Sequence, residues 1–398
     1  MAVHRIYLAI TMYSTKSRVF RWVGKAIPLQ AFILLCLLAN CNPEQPPTTP
    51  GLLLAPRYAR GFVVVKAGNA TWVTVTTGNS DAAEKTTYVL VPQGEQLPDN
   101  IGKNRVIRTP VKTIVCTSTT HIPLLDYLQL TDRLIGFPTT AYISSAKMRA
   151  RIDSGQVTDL GVDKQMNMEL LMTIHPDMVM SYPLGDNLGQ FDKISKLGIP
   201  VVNNSEYLES HPLGRAEWIK FMALFFDREK EADSVFSAIE SAYLEIQRKA
   251  QEAASRSTVL SGIVYGDTWF LPGGKNYASR LFADAGYRYL WEEDTSSGFL
   301  QLSFESVYAR ARDADYWIGV GSFESLTQLG QADKRYPLFH AFQRGEVYSY
   351  NARMGRGGGS EFLELGYLRP DIILADLLKI SHPELMPEHD LYFYKSLP

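Results

Sequence analysis

Asn167-Met-Glu169-Leu-Leu-Met-Thr-Ile-His-Pro-Asp177-Met-Val-Met180 is the stretch of sequence that decides the fold. It begins with a residue that caps helices, continues with an acidic residue and a short helical pattern, and ends with an aspartate that leads into an apolar strand. The later stretch Ser303-Phe-Glu305-Ser-Val-Tyr-Ala-Arg-Ala-Arg-Asp-Ala-Asp315-Tyr-Trp-Ile318 has the same order of features. Two copies of this helix-then-strand pattern predict two α/β units of similar design.

Strands and helices alternate on both sides of these two stretches. Strands are predicted in two blocks, at Val111–Cys116, Arg133–Phe137, Asp177–Ser181 and Ile199–Asn203, and then at Thr258–Tyr265, Asp315–Gly319 and Val347–Tyr350. Between the blocks, Arg215–Ala254 has apolar residues at helical spacing. The sequence therefore predicts two α/β lobes with parallel sheets, joined by one long helix.

A β-rich segment precedes the first lobe. Alternating β-branched and aromatic residues at Gly61–Val65, Thr71–Thr76 and Thr87–Val91 predict a small antiparallel sheet, with a turn at Gly68-Asn69. The patterns divide the chain into a signal segment (1–40), a tether (41–56), a β-rich annex (57–110), a first lobe (111–212), a connector (213–256) and a second lobe (257–398).

The N-terminus has the pattern of a lipoprotein signal. Basic residues precede a short apolar run, Ala26–Ala39, which ends in Leu38-Ala39-Asn40-Cys41. A run of this length is typical of a secretory signal and too short for a transmembrane helix. The ending resembles the bacterial lipobox, although Gly or Ala is commoner than Asn before the cysteine. The segment therefore predicts lipidation of Cys41 and a membrane anchor, with Met12 as a second candidate start.

Charge and cysteine content narrow the function. Residues 1–40 carry five basic residues and no acidic ones, which leaves 35 basic against 42 acidic residues in the remainder. This balance, without a basic cluster, argues against nucleic acid as a partner. A lipidated Cys41 would leave Cys116 as the remaining thiol, and its place in an apolar strand predicts that it is buried and inert.

Several segments together resemble the iron-siderophore and cobalamin substrate-binding proteins of ABC importers. The opening segment, Lys112–Leu128 followed by Asp132-Arg-Leu-Ile-Gly136, is similar to that family's first strand, helix and second strand. Further similarity lies in Asn167-Met-Glu-Leu-Leu, Pro176-Asp-Met-Val-Met, Pro272-Gly-Gly, Leu281-Phe-Ala-Asp-Ala-Gly286 and Ser303-Phe-Glu-Ser-Val. The resemblance covers about Val111 to the C-terminus.

The resemblance implies a periplasmic binding protein with a rigid helical hinge, not an enzyme. The implied partners are a dimeric ABC permease with its ATPase, a small metal chelate as ligand and a membrane reached through the lipid anchor, so the location is the cell envelope. No resident cofactor or metal is expected. Each lobe of such a protein offers one glutamate to arginines of the permease, and these glutamates correspond to Glu169 and Glu305.

The ligand is expected where the carboxyl ends of the strands of both lobes meet. The corresponding loops are 117–121, 138–142, 181–184, 265–270, 321–323 and 351–359. Their aromatic and cationic residues suit a large anionic ligand, and we predict ligand contacts from Tyr142, Tyr182, Tyr265, Trp269, Arg353 and Arg356. The glycine run at 357–359 lacks the Lys-Ser/Thr ending of a phosphate-binding loop.

The favoured ligand is a ferric siderophore, with cobalamin or haem as alternatives on the same fold. A zinc or manganese binding protein would bring histidines together, whereas His121, His175, His211, His340, His382 and His389 are widely scattered. An enzyme would require a nucleophile with a base or paired carboxylates in a known setting, and no such motif occurs. A surface lipoprotein that binds ligand without a permease is the remaining alternative.

Replacing Cys41 by Ala should move the protein from the membrane fraction to the soluble fraction, because the acyl chains that anchor it could no longer be attached. Fractionation of cells followed by immunoblotting measures this change. A wild-type protein that is already soluble, or a variant that stays with the membrane, would contradict the predicted anchor.

Overall fold

The structure, a computed structural model, describes residues 52–78, 83–98, 106–183, 188–253 and 255–398. The predicted signal segment, the predicted lipidation site Cys41 and most of the tether lie outside these ranges. Among the helices in these ranges, none is both long and apolar enough to cross a membrane.

The annex is a five-stranded sheet in the order β1-β2-β3-β4-β5. Its strands are β1 (Leu52–Leu54), β2 (Phe62–Ala67), β3 (Ala70–Thr77), β4 (Glu84–Pro92) and β5 (Val106–Thr109). The predicted antiparallel pairing of three runs is confirmed, with Gly68 at a positive φ in the turn between β2 and β3. Strand β5 adds a parallel partner to β4 that the sequence pattern did not indicate.

The first lobe contains a fully parallel sheet in the order β10-β9-β6-β7-β8. Its strands are β6 (Ile114–Cys116), β7 (Leu134–Phe137), β8 (Thr158–Asp159), β9 (Met178–Ser181) and β10 (Val201–Asn203). Four of them match the predicted strands. Cys116 is fully buried, as expected for an inert thiol, and its burial raises its pKa.

The second lobe contains a sheet in the order β14-β11-β16-β17-β18, parallel except for the last pair. Its strands are β11 (Thr258–Ser261), β14 (Arg288–Tyr289), β16 (Tyr316–Ile318), β17 (Val347–Ser349) and β18 (Lys395–Ser396). A separate antiparallel sheet joins β12 (Ile263–Tyr265), β13 (Thr268–Pro272) and β15 (Phe299–Leu302).

The single strand predicted at Thr258–Tyr265 is wrong, because Gly262 divides it into β11 and β12. Gly262 has a φ of +79°, and a Cβ atom there would lie 1.9 Å from the carbonyl oxygen of Phe270. Both the conformation and the close approach require glycine. The chain therefore leaves the parallel sheet at this residue and forms a hairpin.

Twelve α-helices, with several short 3-10 turns, connect the strands in the described part of the chain. They are α1 (His121–Tyr127), α2 (Ala146–Asp153), α3 (Met168–Ile174), α4 (Leu188–Lys196), α5 (Pro212–Ala223), α6 (Glu229–Gln251), α7 (Tyr277–Asp284), α8 (Phe304–Ala311), α9 (Leu326–Ala332), α10 (His340–Gln343), α11 (Glu361–Leu365) and α12 (Pro370–Ser381).

The connector contains the predicted long helix, α6, and the shorter helix α5 precedes it, with a break between the two inside the predicted range Arg215–Ala254. The break falls at 224–228, where Asp227 has a φ of +56° and the buried rings of Phe225 and Phe226 turn into the core. Apolar spacing continues across the break, which is why the sequence pattern did not reveal it. Helix α6 still provides a long element, and it packs against α5 and against α12 of the second lobe.

The segment that leads into the annex is held to α5 by a buried carboxylate. Glu217, which is almost completely buried, accepts hydrogen bonds from the backbone N–H groups of Arg57 at 2.9 Å, Tyr58 at 2.8 Å and Ala59 at 3.0 Å. These three bonds hold residues 57–59 against α5.

A second buried carboxylate, Glu209, continues this attachment. Its Oε1 atom accepts hydrogen bonds from the backbone N–H groups of Arg60 and Gly61, both at 2.8 Å, and from Nε1 of Trp218 at 3.1 Å. Next to these bonds, the ring of Phe62 packs edge-on against Trp218, with 4.9 Å between ring centroids. The annex is therefore fixed to the connector by polar and aromatic contacts together.

Replacing Glu217 by Ala should lower the free energy of unfolding by about 3 kcal/mol, because three backbone donors would lose a charged acceptor. Glu231→Ala is the matched control, since Glu231 pairs with Arg228 on the surface of α6, and its loss should cost less than about 1 kcal/mol. Urea unfolding measures both changes. Equal losses for the two variants would show that the buried carboxylate does not fix the annex.

Candidate ligand-binding and docking sites

The loops that follow β6 and β9 meet at one edge of the first-lobe sheet. The backbone N–H of Tyr182 donates to the hydroxyl oxygen of Thr117 at 2.9 Å, which joins the two loops. The ring of Tyr182 lies 4.7 Å from that of Tyr207 and 6.4 Å from that of His121, measured between centroids. Tyr182, a predicted ligand residue, thus lies at the strand ends, where parallel α/β sheets bind their ligands.

Arg215, in the first turn of α5, links this edge to the second lobe. Its guanidinium contacts the rings of Tyr277 and Tyr367, 3.7 and 4.2 Å from their centroids. Its N–H groups donate to the backbone carbonyls of Tyr207 at 3.1 Å and Glu209 at 2.9 Å. Two cation–π contacts of one guanidinium therefore join α5 to the second lobe at this point.

We call Tyr182, Tyr207, Arg215, Tyr277 and Tyr367 the tyrosine–arginine cluster. Burial raises the pKa of Tyr182 well above its usual value, with Tyr367 as a further cause, and raises the pKa of Tyr207 to about 12. The phenols are therefore protonated at neutral pH and act as hydrogen-bond donors. Sequence reasoning found Tyr182 and missed the others, because they meet through contacts between segments far apart in the chain.

A buried histidine and a buried glutamate lie beside the cluster. His121 Nε2 and Glu206 Oε1 are 3.9 Å apart, too far for a hydrogen bond, and both residues are almost completely buried. The hydroxyl of Thr120 donates to Glu206 Oε1 at 2.5 Å. Within the described residues, both ring nitrogens of His121 and the Oε2 atom of Glu206 have no hydrogen-bond partner.

Burial decides the ionisation of this pair. It lowers the pKa of His121 to about 3 and raises the pKa of Glu206 to about 7, partly offset by the hydrogen bond from Thr120. His121 is consequently neutral, and the charge of Glu206 changes near neutral pH. These groups follow β6 and β10, so the end of the first-lobe sheet carries a titratable group.

The prediction that Trp269 contacts ligand is wrong. Trp269 is 0% exposed, stacks on Trp317 with 5.4 Å between centroids, and donates from Nε1 to the backbone carbonyl of Ser261 at 3.1 Å. The rings of Tyr336 and Phe339 enclose it further. Trp269 belongs to the core of the second lobe, and Pro272-Gly273-Gly274 beside it in sequence gave a misleading indication of an open loop.

The other two predicted tyrosines differ in accessibility. Tyr265 is 43% exposed at the end of β12, and its ring contacts Phe270 edge-on with 6.5 Å between centroids. Tyr142 is half-buried at the end of a short 3-10 turn, and its carbonyl lies against Gly359 of the second lobe. Tyr265 is thus open to a ligand, whereas the backbone of Tyr142 is part of a contact between lobes.

The loop at 353–360, which we call the glycine loop, packs against the first lobe. A Cβ atom at Gly357 would lie 2.1 Å from the carbonyl oxygen of Ala141, and one at Gly359 would lie 1.8 Å from that of Tyr142. The glycines are thus required for backbone contact between the lobes rather than for a phosphate. Arg353 and Arg356 are exposed on this loop, and the Arg353 guanidinium lies 4.1 Å from the centroid of Tyr392.

A carboxylate reinforces the contact between the lobes. Glu364 of α11 is buried and accepts hydrogen bonds from the backbone N–H groups of Ser144 at 2.6 Å and Ser145 at 2.9 Å. Ser145 caps the N-terminus of α2, where a negative charge is favourable. The sequence did not indicate this role, because it depends on an approach between residues more than 200 positions apart.

The two predicted docking glutamates occupy equivalent positions. Glu169 lies in the first turn of α3, which is capped by Asn167, and Glu305 lies in the first turn of α8, which is capped by Ser303. Both carboxylates are exposed. Each is available to a partner and is also favourably placed at the positive end of its helix.

A resident metal site does not emerge from the arrangement of ligating side chains. In the ranges that the structure describes, no group of three or more His, Cys, Asp and Glu residues could hold an ion. A structural zinc or manganese site of protein ligands needs such a group.

Replacing Glu206 by Gln should remove a pH dependence of stability. The pKa of the buried carboxyl is raised to about 7 from 4.5. Between these values the unfolded state loses the proton that the folded state keeps, so the folded state becomes less stable as the pH rises. The wild type should lose up to about 3 kcal/mol of unfolding free energy between about pH 4 and pH 8, and the variant should not. Urea unfolding across this range tests it, with Glu231→Gln as control, and a difference between wild type and variant that is constant with pH would contradict it.

Comparison with known proteins places the chain among solute-binding proteins. Two lipoproteins of Methanocaldococcus jannaschii, both described as uncharacterised, are similar in sequence. One is 27% identical over 75% of this chain and 71% of its own length. The other is 28% identical over 77% of this chain and 79% of its own length. A periplasmic binding protein from Veillonella parvula is similar in structure, with a TM-score of 0.56 and 16% identity over 78% of this chain and 98% of its own.

Two further solved structures share the fold. A possible iron-binding periplasmic solute-binding protein from Staphylococcus epidermidis has a TM-score of 0.54 and 14% identity, over 69% of this chain and 100% of its own. A periplasmic heme binding protein from Pseudomonas aeruginosa has a TM-score of 0.53 and 16% identity, over 72% of this chain and 98% of its own. The family model described as periplasmic binding protein matches residues 114–354, which is more than half of the chain. This protein therefore belongs to the periplasmic binding protein family, whose members bind solutes and are not enzymes.

Proposed function

We propose that this protein is the substrate-binding lipoprotein of an ABC importer and that it binds a ferric siderophore between its two lobes. Membership of the periplasmic binding protein family supports solute binding at the cell envelope and delivery to a permease with its ATPase. The two relatives named as lipoproteins support an anchor, in agreement with the signal pattern that ends at Cys41. The observation that carries the ligand class is the tyrosine–arginine cluster at the meeting edge of the lobes.

The cluster favours an intact chelate over a free ferric ion. Direct binding of iron by a phenol requires loss of its proton, and the raised pKa values of Tyr182 and Tyr207 oppose this loss. The hydroxyl of Tyr207 already donates to the backbone carbonyl of Pro183 at 2.7 Å. The protonated phenol of Tyr182 can instead donate a hydrogen bond to an oxygen atom of the ligand, such as a hydroxamate, catecholate or carboxylate oxygen that surrounds iron in a siderophore. The ion would then arrive with its own ligands.

The exposed arginines favour a negatively charged chelate. Arg353 and Arg356 lie on the glycine loop, which follows a strand of the second lobe and contacts the first lobe. The guanidinium of Arg353 is oriented by the ring of Tyr392. Guanidinium groups bind oxygen anions with charge-assisted hydrogen bonds, which are about twice as strong as neutral ones.

A haem or a corrinoid is the second candidate. The observation that favours it is the presence of two ring pairs in the tyrosine–arginine cluster, with centroid distances of 4.7 Å for Tyr182 and Tyr207 and 6.0 Å for Tyr277 and Tyr367. Paired aromatic rings offer apolar area to a flat macrocycle. The heme binding protein from Pseudomonas aeruginosa has the same fold. This likeness supports including a porphyrin such as haem in the second candidate.

Titration of lipid-free protein with a hydroxamate and a catecholate ferric siderophore, haem and cyanocobalamin tests the proposal through tryptophan fluorescence. Arg353→Ala and Arg356→Ala should each weaken an anionic siderophore about tenfold, because a charge-assisted contact is lost. The loss should shrink as salt rises, because screening already weakens the wild-type contact.

Arg248→Ala is the matched control, since Arg248 pairs with Glu252 on the surface of α6. The affinity of this variant for each siderophore should equal that of the wild type. The second candidate would be selected if the affinity for haem or cyanocobalamin were unchanged in Arg353→Ala and Arg356→Ala and lower in Tyr182→Ala. Failure of every compound in the panel to bind would contradict the proposed function.

A further inference from the structure

Three buried polar side chains lie at the carboxyl ends of β6 and β10. His121 begins helix α1 after β6, and Ser205 and Glu206 follow β10. None of the three is more than 2% exposed. Within the described residues, both ring nitrogens of His121, the Oγ atom of Ser205 and the Oε2 atom of Glu206 have no hydrogen-bond partner. Buried polar atoms are nearly always paired, so this group, which we call the buried polar site, requires something further to complete it.

The contacts of Glu206 support a protonated carboxyl better than an ionised one. Its Oε1 atom accepts a hydrogen bond from the hydroxyl of Thr120 at 2.5 Å, whereas Oε2 receives no donor from the described residues. The Nε2 atom of His121 is 3.9 Å from Oε1, beyond hydrogen-bond distance. A buried carboxylate needs several donors or a paired charge, whereas a carboxyl group carries its own donor. A proton therefore completes the buried polar site, and it needs no space.

The titratable groups that face Glu206 come from several segments. They are the thiol of Cys116, the imidazole of His121, the phenols of Tyr182 and Tyr207, the carboxylate of Glu209 and the guanidinium of Arg215. Burial raises the pKa values of the thiol and the two phenols and lowers that of the imidazole, which leaves all four neutral near neutral pH. Arg215 favours the ionised form of Glu206 and Glu209 opposes it, while burial, the largest cause, raises the pKa of Glu206 to about 7.

We propose that the carboxylate of Glu206 takes up a proton from solvent when an anionic chelate binds at the tyrosine–arginine cluster, so that the protein captures such a ligand more tightly at acidic than at alkaline pH. The inference rests on the proposed function and concerns the regulation of its binding site. Glu206 precedes Tyr207 of the cluster, and the ring of His121 lies 6.4 Å from that of Tyr182. A ligand at the cluster therefore brings its negative charge close to Glu206 through the protein interior, where charges interact more strongly than in water.

The direction of the pH dependence follows from the linkage between proton and ligand. A negative ligand repels ionised Glu206, so the carboxyl keeps its proton to a higher pH in the complex than in the free protein. At acidic pH both forms hold the proton, and the affinity is constant. As the pH rises above the pKa of the free protein, which is about 7, the free form loses a proton that the complex keeps. The affinity then falls by up to about tenfold for each unit of pH, until the complex loses its proton too.

Calorimetric titration of lipid-free protein with a ferric catecholate siderophore, which carries a net negative charge, tests the inference. The affinity of the wild type should fall about tenfold between about pH 6 and about pH 8.5. Glu206→Gln keeps an acceptor for Thr120 but cannot ionise, so its affinity should change less than about twofold over this range. Glu231→Gln is the matched control, because Glu231 pairs with Arg228 on the surface of α6, and it should follow the wild type. A neutral ferric hydroxamate should bind with little pH dependence.

Repeating the titration in buffers with different heats of ionisation counts the protons on the wild type itself, whether or not the variant folds. At about pH 8 the wild type should take up roughly half a proton to one proton for each catecholate bound, and Glu206→Gln close to none. The same uptake by Glu206→Gln overturns the inference, because another group then takes the proton. A wild-type affinity that does not change with pH also overturns it, and an internal water molecule would then complete the buried polar site.

The outcomes separate this inference from the proposed function. If the wild type binds no siderophore, haem or cyanocobalamin at any pH, the proposed function fails and the inference fails with it. If the wild type binds the catecholate equally well at both pH values, ligand binding stands and proton uptake alone is wrong. If haem is the compound that binds, its propionate groups supply the negative charge and the same pH dependence is expected. Binding of cyanocobalamin alone overturns the inference, because no anionic ligand is then captured.

Discussion

The complete burial of helix α5 is the constraint on which the rest of the structure depends. Ten of its twelve residues are buried, including Trp218, Phe221 and Met222. A helix that is apolar on all sides must be covered on all sides. The annex covers one side through Phe62, and the two lobes and α6 cover the others. The arrangement of the parts thus follows from the need to enclose this helix.

The polar groups of the α5 region are satisfied by specific partners, and those partners are the points where segments join. Glu217 and Glu209 accept hydrogen bonds from backbone N–H groups of the segment that leads into the annex. Arg215 forms cation–π contacts with two tyrosine rings of the second lobe and donates hydrogen bonds to two backbone carbonyls of the preceding turn. An unpaired buried charge would cost several kcal/mol. These three residues therefore fix the relative positions of annex, connector and lobes more narrowly than apolar packing could.

The contact between the lobes on the other side has a different origin. The glycine loop touches the backbone at 141–142, and Glu364 accepts the N–H groups at the start of α2. Both contacts use backbone atoms, so side-chain chemistry on the facing loop is largely free to vary. Exposed side chains of this loop, such as those of Arg353 and Arg356, can therefore change without loss of the contact that orients the loop.

The lobes, most strands and the three central annex strands were predictable from sequence, because alternation and β-branched runs report local burial. Gly262 and the break at 224–228 were not, since apolar spacing continues across both. Trp269 was misassigned because a bulky residue at a strand end near glycines has the same local pattern whether it faces a ligand or a core. Tyr277 and Tyr367 become site candidates through Arg215, a contact between distant segments that no local pattern contains.

The two glutamates predicted to dock show how a sequence motif can be ambiguous while its surroundings are not. A carboxylate in the first turn of a capped helix is stabilised by the helix dipole with or without a partner, typically by 0.3–1 kcal/mol. Its presence at both Glu169 and Glu305 is therefore consistent with folding alone. The surroundings of the two carboxylates differ, because Arg335 lies 3.6 Å from Glu305, whereas no residue in the described part of the chain forms an ion pair with Glu169. The same local motif therefore gives one carboxylate that is paired within its own lobe and one that is not, a difference that depends on a neighbouring segment and not on the motif itself.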